Sequence, residues 1–485
     1  MTASLEFIVV SRSTTDAVAF TASSTGSAEL TTLVSVVPAE SFPASVNEAV
    51  TASLADFVCV VHAEGTIAPG AVDAIAGVLA DHPESTVLYG DASFGKGRAA
   101  GYLATPIYSP ERLRCQYYYG DVVVYRRQFF VELGGLDREL PGAEQYDLAL
   151  RASRASDAVQ HVRAPLFETA DEPVTRLDPV ALDSTTTALE THLAATGGGE
   201  VRSVGVDGVH DTRRLVVGEP LISIVIPSRG IHSVIDGESR CYVLDAVRSI
   251  VEKSTYTNVE FVIVLDTVAE PEVIAELRLI LGDRFIQVDW DKPFNFSDKV
   301  NLGVVHSHGE FVLLLNDDVQ VITPTWLESL LALVQLPGAG MSGAMLYYAD
   351  ETIQHGGHHY YENDASHIGL DAPRGDAGPL QGYRVEREVS GVTAACAMMP
   401  KAVFEEVGGL SNLLPGNFND VDLCMKTTWL GHSIYWTPHA ELYHFESKTR
   451  DASVHHFEVD VAWGRWGFRM HDPKYWPYAH NRPPG

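Results

Sequence analysis

An internal repeat constrains the fold of this 485-residue chain more than any other feature of its sequence. The segment FVLLLNDD, which starts at Phe311, parallels FVCVVHAE, which starts at Phe57, at an offset of 254 residues. AVFEEVGGL parallels FFVELGGL, and NDVDLCMK parallels EQYDLALR, at offsets of 274 and 275 residues. The change in offset indicates an insertion of about 20 residues in the later copy, which we place between His355 and Gln381. Each copy is long enough to hold its own core, so the sequence predicts two copies of one domain and not a solenoid.

The later copy alternates apolar strand patterns with a helical pattern. Leu221 to Ile226, Val259 to Leu265 and Phe311 to Leu315 are apolar runs typical of strands buried in a parallel sheet. A helix is predicted from Val243 to Lys253, between the first two strands. This order predicts an α/β fold class, with two domains of Rossmann-like, mainly parallel sheets flanked by helices.

The boundary between the copies is predicted near residue 215. A Gly-rich patch at 197–199 and a charged turn at 211–214 precede the new strand at Leu221. We therefore expect one domain at 1–215 and a second at 216–485, which ends in the tail WGRWGFRMHDPKYWPYAHNRPPG. Aromatic side chains stack on sugars and also form dimer contacts, and the sequence leaves both roles open for this tail.

Composition and charge narrow the possible partners and location. The chain is 46% hydrophobic and 20% charged, as in globular proteins. Its formal net charge of −30 disfavours nucleic acid and anionic lipid as partners. Five scattered cysteines without a CxxC fit reduced thiols, and neither a bilayer-spanning run nor a signal peptide is recognisable. We expect a cytoplasmic protein, with peripheral contact at the inner face of the membrane and homo-oligomerisation left open.

Polar side chains follow the central apolar strand of the later copy. Asn316, Asp317 and Asp318 come directly after FVLLL. Ligands of open α/β sheets bind at the carboxyl ends of the strands, and carboxylates there suit Mg²⁺ shared with a substrate phosphate. The same residue types are common in capped turns. On this triplet alone, the metal site and the turn are equally supported.

Three further polar groups fall at or near predicted element ends: Ser228-Arg229, Asp266 and the Asp420–Asp422 pair. Converging strand ends would form a nucleotide pocket, a metal site and a base in one crevice. Asp420, at the start of a helix, can point into that crevice, whereas Asp422 is better explained as a first-turn acid favoured by the helix dipole. His444 is a candidate metal ligand, although a lone histidine more often has a structural role.

The later copy resembles the family 2 glycosyltransferases with the GT-A fold, in particular the two-domain bacterial enzymes of the O-antigen or rhamnan type. The segments that carry the resemblance are ISIVIPSRG, PFNFSDKVNLGV, GEFVLLLNDDVQVITPTWLESL, MLYYADETIQHGG, VSGVTAACAMMPKAVFEEVGGL and FNDVDLCMKTTWLGHSIYWTPHAELYHFESKTR. They span Leu221 to about Arg450, and their joint order is more specific than any single acidic motif. The resemblance implies an enzyme of surface-polysaccharide synthesis, which transfers a sugar from a nucleotide-diphosphate donor to a glycan or lipid-linked acceptor with inversion at the anomeric carbon.

The resemblance also implies a role for individual residues. Those expected to bind the nucleotide sugar are Pro227, Ser228, Arg229, Asp266 and Asp317, together with Asn295 and Asn301 in a loop that approaches the donor. Asn316-Asp317-Asp318 matches the DXD motif with Asn in its first position, so Asp318 is the expected main ligand of Mg²⁺ or Mn²⁺, and His444 completes the site. Asp420 matches the catalytic base. The chemistry agrees, because a nucleotide diphosphate leaves with help from a cation and an acceptor hydroxyl needs a carboxylate to take its proton.

The earlier copy departs from this pattern. His62-Ala63-Glu64 stands in place of Asn316-Asp317-Asp318, Glu144-Gln145 in place of Asn419-Asp420, and Glu168 in place of His444. Gln145 cannot accept a proton as a carboxylate does, which predicts a degenerate domain that helps to hold an acceptor glycan or a partner. The second interpretation is another active site, in which Glu64, Glu144 and Glu168 take over the lost roles.

The insertion holds a histidine-rich tract, QHGGHHYYENDASH, with His355, His358, His359 and His367. Such tracts can bind metal. No spacing here is that of a zinc site, and we expect a loop over the acceptor side of the crevice. A different function class also stays open for the whole chain, namely a non-catalytic scaffold that binds a glycan or a sugar nucleotide.

Overall fold

A computed structural model describes residues 3–11, 30–62, 66–95, 101–172, 175–235, 238–362, 364–445, 454–471 and 474–478. The chain divides into two compact units between Arg213 and Arg214. Each unit is built around one large mixed sheet with helices packed against it. Within the ranges given, no helix has the length and apolar character needed to cross a bilayer.

The first unit begins with a parallel pair of strands and continues as a mixed sheet. Its strands are β1 (Ala3–Ser11), β2 (Leu30–Pro38), β3 (Phe57–His62), β4 (Thr66–Ile67), β5 (Val87–Phe94), β6 (Gly101–Leu103), β7 (Val123–Arg126), β8 (Val159–Thr169), β9 (Gly199–Val204) and β10 (His210–Arg214). Its helices are α1 (Ala44–Ala52), α2 (Ala71–Asp81), α3 (Pro110–Cys115), α4 (Arg127–Glu132), α5 (Glu144–Ala155) and α6 (Pro179–Ala195). The strand order of the sheet is β2-β1-β3-β7-β5-β8-β4, with β6 paired to β5.

The second unit has the same plan with additional edge elements. Its strands are β11 (Ile222–Ser228), β12 (Ser233–Ile235), β13 (Glu238–Arg240), β14 (Val259–Asp266), β15 (Phe285–Trp290), β16 (Phe311–Leu315), β17 (Val319–Val321), β18 (Ala339–Tyr347), β19 (Ile353–His355), β20 (His358–Tyr361), β21 (Asp364–His367), β22 (Arg387–Glu388), β23 (Cys396–Pro400) and β24 (Ser433–His444). Its helices are α7 (Tyr242–Lys253), α8 (Pro271–Leu281), α9 (Phe296–Val305), α10 (Trp326–Val334), α11 (Lys401–Glu406), α12 (Asn419–Trp429) and α13 (His456–Trp466). The sheet order is β15-β14-β11-β16-β23-β18-β24-β17.

The two sheets have the same topology. In order, β2, β1, β3, β7, β5, β8 and β4 correspond to β14, β11, β16, β23, β18, β24 and β17. Each pair of neighbours in one sheet is parallel or antiparallel as in the other. The predicted α/β class is therefore confirmed, with parallel pairing among the first strands and antiparallel strands added beside them. The predicted insertion contains the β20–β21 hairpin of the second unit.

The central strand β16 shows why this sequence forms a two-faced sheet. All five of its residues are buried. Phe311, Leu313 and Leu315 pack in one apolar cluster, and Val312 and Leu314 pack in another. Successive side chains of a strand point to opposite faces, so the unbroken run FVLLL supplies a core on each side of the sheet.

Candidate active site

The candidate site lies where β11, β16 and β24 end. Asp317 follows β16, and its Oδ2 accepts a hydrogen bond from Ser228 Oγ at 2.6 Å. Ser228 is the last residue of β11, and His444 is the last residue of β24. His444 Nε2 lies 3.2 Å from Asp318 Oδ1. Three strand ends therefore bring four of the sequence-predicted residues into one group.

The His444 ring is oriented by Gln354, the middle residue of β19. His444 Nδ1 lies 2.7 Å from Gln354 Oε1, and because an amide oxygen only accepts hydrogen bonds, Nδ1 carries the hydrogen. In the neutral ring Nε2 then has no hydrogen and carries a lone pair. This is the tautomer in which Nε2 can bind a metal. The Asn316 amide nitrogen lies 2.9 Å from this Nε2 and donates to it. His444 and Gln354 are both buried, so the surrounding interior holds the ring in place.

Asp318 and His444 fit a divalent cation. Two ligand atoms at about 2.1 Å from one octahedral ion, at right angles to each other, are about 3 Å apart, and Asp318 Oδ1 and His444 Nε2 are separated by 3.2 Å. Burial, and after it the neighbouring Asp318 carboxylate, raise the pKa of Asp317 to about 7. Two adjacent acids oppose each other's ionisation, and a bound cation relieves that opposition. Carboxylates are also the ligands that suit Mg²⁺ and Mn²⁺.

A lysine that the sequence argument missed connects the nucleotide-side residues. Lys299, in α9, is buried, and its Nζ donates to Asp266 Oδ1 at 2.7 Å and to the Ser228 carbonyl oxygen at 3.0 Å. Burial lowers the pKa of its ammonium group, while Asp266 acts in the opposite direction. Arg229 is exposed next to Ser228, and Pro227 is partly buried in β11. The segment NFSDKV offered a signal for Lys299, since a lysine within an otherwise apolar helix face often has a fixed partner.

Asp420 lies on the same side of the sheet, in the first turn of α12. Its Oδ2 accepts from the Ala394 backbone N–H at 3.3 Å, and its Oδ1 accepts from the Val421 backbone N–H at 2.8 Å. Ala395 follows Ala394 in the chain, and its carbonyl oxygen accepts a hydrogen bond from the Asn316 backbone N–H at 3.1 Å. The two residues before β23 therefore connect Asp420 to the acidic triplet. The carboxylate is partly exposed, and each of its oxygens has a second lone pair that is still available to accept a proton.

Asp422 has a structural role, as the sequence argument favoured. Its side chain is fully buried and contacts Arg465 at 3.1 Å, the Trp466 indole N–H at 2.8 Å and Lys426 Nζ at 3.2 Å. Lys426 also donates to the Gly409 carbonyl oxygen. The first unit has the same arrangement, since Asp147 pairs with Arg151 and Arg151 donates to the Gly135 carbonyl oxygen. A contact present in both copies belongs to the fold and not to the chemistry of one copy.

Of the two asparagines expected in a loop that approaches the donor, Asn295 precedes α9 and only Asn301 is placed differently. Their donor-binding role stays a prediction. Asn301 lies inside α9 and not in a loop, and its amide exchanges two hydrogen bonds with the backbone of Leu410, at 2.8 and 2.9 Å. Asn47, which precedes it by 254 residues, makes the same two bonds with Leu136. Asn295 is the N-cap of α9 and also donates to the Asn412 carbonyl oxygen. The side chain of Asn295 holds the start of α9. The side chain of Asn301 holds the turn at Gly408-Gly409, which we call the glycine turn.

We expect Asn47→Ala and Asn301→Ala to destabilise their own units by a similar amount, about 2 kcal/mol each, because each removes two side-chain bonds to a backbone amide. Urea unfolding followed by circular dichroism measures the change in both variants, and tryptophan fluorescence reports on the second unit, which holds all seven tryptophans. The transfer rate per folded molecule should stay unchanged in both variants. If Asn301→Ala instead had normal stability and bound the nucleotide sugar more weakly, this result would support a donor-binding role for Asn301.

The structure gathers three of the four histidines of the tract. Each of these three histidines has a ring nitrogen that lies within 4.8 Å of the ring nitrogens of the other two, and they are His355, His358 and His367. The lone pair of His355 Nε2 already accepts from the Thr393 backbone N–H at 3.2 Å. Burial lowers the pKa of His358 to about 3 and lowers that of His355 as well. The three rings pack against one another with ring centres 4.7–5.1 Å apart, and we assign them to packing. His359 alternates to the other face of β20.

The first unit has different side chains at the equivalent places. His62 ends β3 and is exposed, Glu144 and Gln145 begin α5, and Glu168 lies near the end of β8, 3.4 Å from Ser93 Oγ. Glu64 lies outside the described residues. Burial raises the pKa of Glu144. Since Glu144 corresponds to Asn419 and not to Asp420, the second interpretation of this unit gains no support from the placement of Glu144.

Comparison with known families matches residues 224–408 to the family described as glycosyl transferase family 2. The matched segment runs from β11 to the glycine turn after α11 and includes Asp266 and the acidic triplet. Asp420 and His444 lie beyond its end.

Two longer proteins resemble most of this chain. An uncharacterized protein of Sinorhizobium fredii is 32% identical over 449 residues, which cover 88% of this chain and 48% of that protein. The O-antigen biosynthesis protein RfbC of Myxococcus xanthus is 28% identical over 445 residues, which cover 89% of this chain and 34% of that protein. The chain thus spans less than half the length of either relative. Among solved structures, that of GalNAc-T7 with UDP, GalNAc and Mn²⁺ has a TM-score of 0.41 at 10% identity, over 51% of this chain and 48% of the other.

Proposed function

We propose, for a chain that carries a family 2 glycosyltransferase domain, that the second unit transfers a sugar from a nucleotide-diphosphate donor to a glycan or lipid-linked acceptor, with inversion at the anomeric carbon. The synthesis of a bacterial surface polysaccharide is the process that we assign to it, on the similarity to the O-antigen biosynthesis protein. The five cysteines are buried thiols, which supports a reducing, cytoplasmic location.

One observation carries the proposal: the two copies share their structural contacts and differ in the candidate site. The asparagine bonds to the glycine turn and the Asp–Arg or Asp–Lys pair of α5 and α12 occur in both units. Asp318, Asp420 and His444 occur only in the second. Residues needed for folding alone would be kept in both copies, so these three side chains are best explained by a reaction that only the second unit performs.

The charges of the site favour a cation together with the donor. Asp266, Asp317 and Asp318 bring three carboxylates to the crevice, against the cations of Lys299 and Arg229. A diphosphate would be repelled by these acids unless a divalent ion lay among them. Asp318 and His444 would hold Mg²⁺ or Mn²⁺, with Asp317 beside them. The ion, when bound, would offset the negative charge that develops on the departing diphosphate.

The side chains of the chain itself account for the remaining steps. Ser228 and Lys299 fix the ends of β11 and β14, where we place the nucleoside, and Arg229 is free to contact it from the exposed side. Asp420 is held by two backbone N–H groups, which aim its carboxylate without using all of its lone pairs. The proton of the acceptor hydroxyl passes to an Asp420 oxygen as the hydroxyl oxygen attacks the anomeric carbon.

A panel of nucleotide-diphosphate sugars, each incubated with the chain and Mn²⁺ or Mg²⁺, tests the proposal against the scaffold alternative. We expect the release of nucleoside diphosphate from one donor, loss of that release with EDTA, and its return with excess Mn²⁺. Thermal shift on the same samples detects binding, because a ligand of the native state raises its stability. Donor binding without any release of nucleoside diphosphate would favour the non-catalytic scaffold. Release that EDTA does not affect would contradict the proposed role of a divalent cation.

A further inference from the structure

The first unit contains a cavity of about 390 Å³ at the place where the second unit has its candidate active site. Its walls include His62, at the end of β3, and Glu144 and Gln145, at the start of α5. These residues correspond to Asn316, Asn419 and Asp420 of the second unit. The unit therefore has an amide, Gln145, at the place of Asp420, and it keeps a cavity of the size that small-molecule sites have.

Aromatic rings form much of the cavity wall. Phe42, Tyr117, Tyr146 and His210 all line it. Tyr146 and His210 stack with ring centres 5.6 Å apart and planes at 28°, and the Tyr117 ring meets the Tyr146 ring at 5.6 Å and 51°. The faces of such rings pack well against the C–H faces of sugar rings, because both are apolar and flat.

Polar side chains also belong to this wall. They are the Gln145 amide, which is partly exposed, and the Glu144 carboxyl group. Burial raises the pKa of Glu144, and burial lowers the pKa of His210 to about 4, so the His210 ring is neutral near pH 7. An amide and a carboxyl group can both exchange hydrogen bonds with hydroxyl groups, which indicates a partner that carries hydroxyl groups.

The charge of the cavity excludes phosphates as ligands. Among the described residues that line it, none is a lysine or an arginine, and Glu144 adds a carboxyl group. A nucleotide diphosphate would meet no cation here, whereas a sugar hydroxyl can donate to Glu144 or to the Gln145 oxygen. The second unit shows the opposite arrangement, with Lys299 and Arg229 in its crevice.

We propose that the first unit binds a neutral saccharide of about one or two sugar residues in this cavity and does not turn it over. The partly exposed rings of Phe42 and Tyr117 supply the apolar surfaces, and Gln145 and Glu144 bind the hydroxyl groups. Gln145 holds the place of the base but, as an amide, takes no proton.

Saturation-transfer NMR on the full chain, with EDTA and without nucleotide, tests the proposal with methyl glycosides of common hexoses and deoxyhexoses and with their disaccharides. Calorimetry then gives the Kd of the best ligand. We expect Gln145→Ala, which removes the amide at the partly exposed edge of the cavity, to weaken binding about 2- to 12-fold, the effect of one lost hydrogen bond. Gln145→Trp, which fills the cavity from its partly exposed edge, should abolish binding.

Gln287→Ala is the matched control, since Gln287 is a partly exposed glutamine of the second unit. It should leave the Kd unchanged. The proposal is overturned if no saccharide of the panel binds, if Gln145→Ala binds as tightly as the natural chain, or if UDP and GDP bind in a manner that Gln145→Trp abolishes. Gln145→Ala keeps the test decisive even if Gln145→Trp does not fold.

Discussion

We expect Asp420→Asn to lower the rate of sugar transfer by about 10²- to 10⁴-fold, the range that general-base catalysis supplies. The amide has nearly the shape of the carboxylate but cannot take the proton of the acceptor hydroxyl. Binding of the donor should change little, because Asp420 contacts the backbone at Ala394 and Val421 and not the acidic triplet itself. Initial rates at saturating donor and acceptor, beside thermal shift with the donor, measure the two effects separately.

Asp422→Asn is the matched control, two residues along the same helix. Asp422 is fully buried and bonded to α13, so its replacement should lower the free energy of unfolding by about 1–3 kcal/mol. The transfer rate per folded molecule should remain near that of the natural chain. If instead Asp420→Asn transfers sugar at the natural rate, the base must be sought elsewhere.

The second large effect is expected for Asp318→Ala. Loss of this carboxylate leaves His444 as a lone ligand, and charge stabilisation worth several kcal/mol is lost, so transfer should fall by about 10²- to 10³-fold. The stabilisation that Mn²⁺ and a nucleoside diphosphate give jointly should disappear as well, a loss of about 2.7 kcal/mol at a ligand concentration of 100 Kd.

Gln354→Leu separates ligation from positioning. Gln354 contacts the His444 ring, and the loss of such an outer partner typically weakens metal affinity 10- to 100-fold. Raising the Mn²⁺ concentration should therefore restore the activity of Gln354→Leu and fail to restore that of Asp318→Ala. If both variants kept equal activity that did not depend on metal, the proposal that a cation binds at Asp318 and His444 would be wrong.

Much of the second unit could be predicted because its strands have simple patterns. The strands predicted at 221–226, 259–265 and 311–315 and the helix at 243–253 occur within two residues of their expected ends. Unbroken apolar runs are diagnostic of strands buried on both faces, and the helix has a clear apolar stripe. The repeat extends this interpretation to the first unit, because both sheets share one strand order.

The site was less predictable where long-range contacts decide a side chain's role. Lys299 and Gln354 act through partners that lie far from them in the sequence, Asp266 and His444, and the local segments do not identify those partners. Asn301 was expected in a loop for the same reason: its amide bonds the backbone of Leu410, more than a hundred residues later, and this contact is not visible in the local sequence. The antiparallel pairing of β16 with β23 likewise depends on strands that the chain brings together only after α10 and β18.

The contact of Asp422 with α13 also bears on how the chain can be shortened. Phe418, just before α12, has a left-handed backbone (φ +56°), a conformation that costs a non-glycine residue about 1–3 kcal/mol, and its ring packs against Trp463 of α13. The same helix covers the Asp422 carboxylate through Arg465 and Trp466. A truncation before residue 454 would expose that carboxylate to solvent and free Phe418 to relax, so the first turn of α12 would lose its fixed direction. Helix α13 thus holds the proposed base, Asp420, in its position, and a minimal catalytic fragment has to include this helix.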